Sequence, residues 1–250
     1  MAMLASNADF TNPRTKRRPI VSFLGDKGGT GKSFGGRAAT GWFAANGYQI
    51  AAFDADGRNG HLSRYYEQSI GVTRVTLRDP LGWTSLYNHW EQADDDSVIV
   101  VDYPGNIGAE MAQEAARMKR VAAALDRDLI SIWVAAEEED SIWLLETALQ
   151  VADARHTVFW MNGRFGSDPS KFELWNGSQT RARFIGNGGI EAFLPVLPIF
   201  VRTKIARARA PFHDLSSAAL GLTDQIDFDL WWSAVSMQLE PLVDLLGGPA

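Results

Sequence analysis

Lysine, serine and glycine at close spacing carry the first recognisable chemistry in this chain. Residues 20–33 read IVSFLGDKGGTGKS, a short apolar run and a glycine-rich loop ending in Gly31-Lys32-Ser33. Glycines let successive backbone N–H groups turn toward an anion with no Cβ in the way. A helix-compatible stretch follows, with Arg37, Ala38, Ala39 and Trp42. Its N-terminus adds unpaired N–H donors and partial positive charge. Lys32 is spaced to reach the β- and γ-phosphates of a nucleotide, and the Ser33 hydroxyl to ligate Mg2+. The strand, loop and helix context separates this pattern from a chance glycine-rich turn.

Carboxylates follow at two strand ends. Tyr48 to Phe53 reads as a buried strand running into Asp54-Ala55-Asp56 and then Gly57-Arg58-Asn59-Gly60. In an open parallel sheet, residues at strand C-terminal ends face the ligand crevice; a capped turn is the alternative for this segment. Val98 to Val101 is wholly β-branched and reads as a strand buried on both faces. It delivers Asp102, placed to hold Mg2+ or its waters, ahead of Tyr103-Pro104-Gly105. Proline and glycine there suit a segment that changes conformation with the terminal phosphate.

The loop departs from the usual G-x-x-x-x-G-K-[ST] spacing. Asp26 stands where the first glycine would fall, and Lys27 precedes Gly28 and Gly29. This KGG-x-GKS pattern resembles the deviant Walker A loop of the ParA/MinD family of ATPases, a resemblance that covers residues 19–210. It implies ATP and Mg2+ as cofactors, held by Gly28, Gly29, Thr30, Gly31, Lys32, Ser33 and Phe34, with Ser33, Asp54 and Asp102 at the metal. It further implies that Lys27 reaches the partner subunit's nucleotide in an ATP-dependent homodimer, and that Asp56 positions the attacking water. Asn162, at the end of a strand over Thr157–Met161, would read adenine, or else mark a plain turn. Pro198 lies in the stretch that closes over the base, and Ile205-Ala206-Arg207-Ala208 resembles the start of the following helix. Gly57-Arg58 replaces the Pro-Gln of most ParA proteins, and Arg58-Asn59 is closer to MinD.

The implied function is a switch that partitions or positions plasmid or chromosomal DNA or other cargo. Its slow hydrolysis would be stimulated by a partner protein, ParB-like or a cargo adaptor. Two alternatives stand beside it: a nucleotide-regulated adaptor in conjugation or secretion, and a related ATP-dependent ligase or synthetase. The latter would need a small-molecule pocket for which no motif is visible.

Positioning these groups requires strands and helices in alternation. Helices are expected over Ser33–Asn46 (closed by Gly47), Leu62–Gln68, Trp83–Asp94, Ile107–Leu125 and about Asp229–Leu246. The acidic residues Glu137 to Asp140 open another, as dipole capping rather than catalysis. Further strands are expected over Arg74–Leu77 and Leu129–Val134. Residues 163–190 read only as a helix with loops. The order calls for an α/β fold with a doubly wound, mainly parallel sheet and helices on both faces. Residues 1–18 read as a flexible basic arm and residues 19–250 as a single ATPase domain. So short an arm leaves no room for an N-terminal helix-turn-helix, and sequence-specific operator binding is not expected.

The 250 residues carry a net charge of −6, so any nucleic-acid contact must be local. Arg14, Lys16, Arg17 and Arg18 in the arm form one basic cluster, either a solvated tail or a contact for DNA or acidic lipid. Arg202, Lys204, Arg207 and Arg209 form a second, which in related partition ATPases would touch DNA nonspecifically; a solvated helix face is the alternative. No lysine or arginine follows Arg209. The C-terminal helix, with Trp231, Trp232, Leu239, Leu242 and Leu246, is therefore expected to pack on the domain rather than on anionic membrane. The absence of cysteine excludes disulfides and thiolate catalysis. With no membrane-length apolar run and no signal-peptide pattern, a cytoplasmic or nucleoid-associated location is expected. The four histidines show no metal spacing.

Overall fold

Runs of β-branched and aromatic residues make the strands, and each delivers its last residue to one edge of the sheet. The strands are β1 (Ile20–Leu24), β2 (Gln49–Asp54), β3 (Val72–Arg74), β4 (Ser97–Asp102), β5 (Leu129–Ala135), β6 (Thr157–Asn162) and β7 (Ile190–Leu194). The helices are α1 (Lys32–Ala45), α2 (His61–Ile70), α3 (Gly82–Gln92), α4 (Gly108–Ala124), α5 (Glu139–Ala148), α6 (Glu173–Asn176), α7 (Gln179–Gly186), α8 (Ile199–Ala208), α9 (Leu222–Leu239) and α10 (Leu242–Leu246). This computed structural model describes residues 17–25, 28–57, 59–149 and 152–247. Asp26, Lys27, Arg58 and residues 1–16 of the arm lie outside the described residues.

Among the described residues the strands form one seven-stranded sheet in the order β3-β2-β4-β1-β5-β6-β7, with every pairing parallel. Parallel connections must cross over the sheet, so both faces are covered and the strands are apolar on both sides. In β4, Val98 and Val100 pack toward α1, α2, α8 and α9, while Ile99 and Val101 pack toward α3 and α4. A third cluster joins Trp133, Phe159, Phe172, Trp175 and Phe184 under α5, α6 and α7. Trp175 stacks on Phe159 with ring centroids 3.7 Å apart. The fold class is as expected from the sequence, with the sheet wholly rather than mainly parallel.

Several local expectations are corrected. The strand expected over Arg74–Leu77 ends at Arg74. Val75 still donates its N–H to the Asp54 carbonyl at 3.0 Å, but Val75 and Leu77 then leave the sheet to fill the core around α3. Residues 205–208 are the end of α8, not a helix start: Pro198 stands at its N-cap and Arg209, left-handed at φ 52°, closes it. The C-terminal helix begins earlier, at Leu222, where Asp224 accepts the Gly221 N–H at 2.9 Å. It breaks before Pro241, which has no N–H to continue it. Its inner face packs as expected through Phe228, Trp231, Val235 and Leu239, while Leu222, Ile226, Leu230 and Met237 remain exposed outside. Arg17 and Arg18, read as arm, are tied to the domain. Arg17 pairs with Asp95 at 2.8 Å, and Arg18 Nη1 donates to the carbonyls of Leu246 and Gly247 at 2.8 and 2.7 Å.

Candidate functional site

The chain leaves β1 through α1 toward one side of the sheet and leaves the adjacent β4 through α4 toward the other. Such a reversal opens a crevice at the strands' C-terminal ends. The loops after β1 and β4 face each other there, across a cavity of about 820 Å³. Residues 28–34, 55–57 and 104–106 line it, together with Arg37, Asn59, His61, Tyr65, Thr76, Leu77, Arg78 and Arg164.

The loop is shaped for an anion. Gly28 and Gly29 are exposed and have open space where a Cβ would stand, so a ligand can meet their backbone. Gly31, at φ 92°, caps α1 and turns the chain into the helix. Asn162 closes the loop from below: its Nδ2 donates to the Thr30 carbonyl at 2.7 Å, and its Oδ1 accepts the Arg164 N–H at 3.1 Å. Phe34 lines the cavity, with its own N–H bonded to the Gly31 carbonyl at 3.0 Å and its ring edge-on to Phe212. Asn162 and Pro198 are not on the cavity wall; Pro198 stands at the start of α8.

Lys32 lies on the cavity wall but turns inward. Its Nζ donates to Asp102 Oδ1 at 2.9 Å and to the Tyr103 carbonyl. Both side chains are buried, at 8 % and 2 % exposure. Burial pushes the Asp102 carboxyl above its ordinary range, with the Lys32 ammonium pulling the other way. Asp54 also holds the fold: its Oδ2 accepts from the Ser63 N–H and hydroxyl at 2.8 and 2.6 Å, at the N-terminus of α2. Its Oδ1 accepts the Asp56 N–H at 3.2 Å. Asp56 does reach the cavity, and its Oδ1 accepts the Asn59 N–H at 3.1 Å in a closed turn. Ser33 is half-buried on the same wall.

Among the described residues no three His, Cys, Asp or Glu side chains gather to hold a metal ion. Mg2+ takes one or two protein oxygens beside phosphate oxygens and water. Ser33 and Asp102 fit that pattern, and only with a phosphate in the loop. Of the second basic cluster, Lys204 is paired with Asp224, while Arg207 and Arg209 are exposed. No described helix is long and apolar enough to cross a membrane.

Arg37, His61, Tyr65, Arg78 and Arg164 line the cavity although sequence reasoning did not single them out as site residues. Arg37 was accessible to it: four residues after Ser33, it shares that residue's face of α1. The others depend on how α2 and the loops after β3 and β6 pack.

No family model matches the chain. Protein MobD of Acidithiobacillus ferrooxidans is 28% identical over 226 residues, which is 90% of this chain and 98% of that one. Among solved structures, FtsY from Mycoplasma mycoides matches with a TM-score of 0.50 and 12% identity, covering 89% of this chain and 69% of its own. A nucleotide-binding protein in complex with ADP from Archaeoglobus fulgidus matches with a TM-score of 0.46 and 13% identity, covering 85% of this chain and 91% of its own. The likeness to FtsY is one of fold. The glycine loop thus stands at the switch point of a wholly parallel α/β sheet.

Proposed function

We propose that this protein is a ParA-like ATPase, with residues 19–250 as one domain that dimerises with ATP to partition or position DNA or other cargo. The observation that carries the reading is the Lys32–Asp102 pair, which joins the glycine loop to the end of β4 inside the switch-point cleft. ATP, when bound, supplies the phosphoanhydride whose hydrolysis resets the switch. Backbone N–H groups of Gly28 to Ser33 bind and orient its phosphates. Lys32 would bind phosphate oxygen, and Asp102 together with Ser33 would hold Mg2+. Asp56, already on the cavity wall, orients water. Lys27 would complete the partner subunit's site. Arg202, Arg207 and Arg209 would offer nonspecific DNA contacts, with Lys204 engaged by Asp224. A second protein would stimulate the slow hydrolysis.

A second reading, a nucleotide-regulated adaptor in conjugation, has the end-to-end similarity to Protein MobD in its favour. Sedimentation with ATP or ADP tests what the two share: ATP with Mg2+ should give dimers, and Lys27→Ala should remain monomeric. A Lys27→Ala protein that dimerises and turns over ATP normally would sink the role given to Lys27. DNA co-sedimentation then separates the readings. ATP-dependent, salt-sensitive binding supports partition, whereas dimerisation without DNA binding supports the adaptor.

A further inference from the structure

Among the described residues, Arg37 in the cleft has no acid to neutralise it. Arg37 sits four residues beyond Ser33 on α1, and helical side chains lean toward the N-terminus, so it points back along the phosphate-loop face. It lines the cavity and is only 7 % exposed. Its guanidinium carbon lies 3.3 Å from the centroid of the Tyr65 ring and 4.6 Å from that of Phe212. Those rings, and a side-chain hydrogen bond to the Tyr65 hydroxyl, offset part of the desolvation. Among the described residues no carboxylate forms an ion pair with it, and its Nε has no hydrogen-bond partner. The charged side chain acting on it is another cation, Arg64. Burial accordingly lowers its pKa from the ordinary arginine value. A guanidinium kept dry at the edge of a cleft, with its Nε unbonded and no carboxylate beside it, fits a ligand that brings further acceptors with it.

We propose that Arg37 forms, with the neighbouring Asn59 and His61, a subsite for a phosphoryl-type oxyanion beside the phosphate loop. Two sources share that chemistry: the terminal phosphate of the bound nucleotide, and a separate oxyanion such as inorganic phosphate. The guanidinium fork meets two oxygens at once, which a lysine at this position cannot do. Asp56, the acid on this part of the wall, has its Oδ1 engaged by the Asn59 N–H and is not among the groups acting on Arg37. The inference rests on the nucleotide reading above and assigns a residue that the glycine-loop pattern does not contain.

Calorimetric titration of the full chain with ADP, with a non-hydrolysable ATP analogue, and with inorganic phosphate added to the ADP complex tests it. If the terminal phosphate is the source, the analogue binds about tenfold tighter than ADP, the worth of one charge-assisted hydrogen bond. If a separate oxyanion is the source, phosphate binds the ADP complex and the analogue shows no preference. Arg37→Met removes whichever effect the wild type shows, the analogue's preference or phosphate binding to the ADP complex, and Arg37→Lys retains only part of it. A wild-type ADP complex that shows neither effect overturns the proposal without recourse to any variant. So does an Arg37→Met protein, folded by its thermal melt, that keeps the wild-type preference. Should Arg37→Met not fold, Arg37→Lys and the wild-type titrations decide. Failure to bind ADP at all overturns the nucleotide reading itself, whereas ADP binding without either oxyanion effect overturns this inference alone.

Discussion

Asn162 at the end of β6 donates its side-chain N–H to the carbonyl of Thr30 at 2.7 Å, across 132 positions of sequence. The phosphate loop is therefore held in shape by a strand two places away in the sheet as well as by its own glycines. The contact is so close that a Cβ on Gly31 would stand 2.1 Å from Asn162 Nδ2.

That distance makes a specific prediction. Gly31→Ala meets two penalties, a left-handed φ of 92° and the Asn162 amide. Removing the amide relieves only the second. Asn162→Ala alone is expected to cost about 1 kcal/mol, the net worth of a buried hydrogen bond. Gly31→Ala should cost at least about 1 kcal/mol less in the Asn162→Ala background than in the wild type, as expected for directly contacting residues. Urea unfolding of the four proteins measures this. Strict additivity would show that the loop and β6 do not press on each other.

A second prediction concerns Lys32 and Asp102. Both are buried, so removing one leaves the other without compensation, at a cost of about 3 kcal/mol. The two losses differ in how they respond to pH. Asp102 has a carboxyl pushed up by burial, and after Lys32→Met it can take a proton instead of a partner. The destabilisation by Lys32→Met should therefore shrink as pH falls below neutral. Adding Asp102→Asn to Lys32→Met should recover much of the loss at pH 7. A double variant as unstable as the sum of the singles would mean that the pair is not coupled.

How much of this was readable beforehand follows from the range of each interaction. The strands were legible because a parallel sheet buries both faces, and Val98 to Val101 announces that in consecutive residues. The placement of the glycine loop, Asp56 and Asp102 was legible because each lies within a few residues of a strand end. Arg37 with Tyr65 was not, since its ring partner comes from α2 and the packing of α1 on α2 leaves no local pattern. The Asn162 brace was hidden for the same reason: it needs the strand order, and a strand-end asparagine looks alike whether it faces a base or a backbone carbonyl. Val75 and Leu77 misled because core filling after a short strand has the same alternation as a ladder. That Asp54 Oδ2 also binds the N-terminus of α2 was not readable, since Ser63 reaches it only through the packing of α2.

The acid side of the stability curve gives the last prediction. Burial lowers the pKa of both His61 and His213 from 6.5. For His61 the neighbouring Arg64 and Arg37 lower it further, against Asp102 and Asp56, which raise it. A histidine whose folded pKa is depressed stays neutral in the native state while the unfolded chain takes up the proton. Its contribution is complete above the unfolded value of 6.5 and is lost as pH falls through the folded value. Depressed carboxylates such as Asp214 and Asp224 act with the same sign but only below 3.8. Asp102 acts with the opposite sign, since its raised pKa favours the native state as pH falls toward 3.8. Between pH 7.5 and 5 the two imidazoles should therefore pull the melting temperature down, against Asp102. A His61→Asn/His213→Asn double variant should show a flatter profile over that interval and the wild-type slope below pH 4. An unchanged slope between pH 7.5 and 5 in the double variant would mean that neither imidazole is held neutral by the fold.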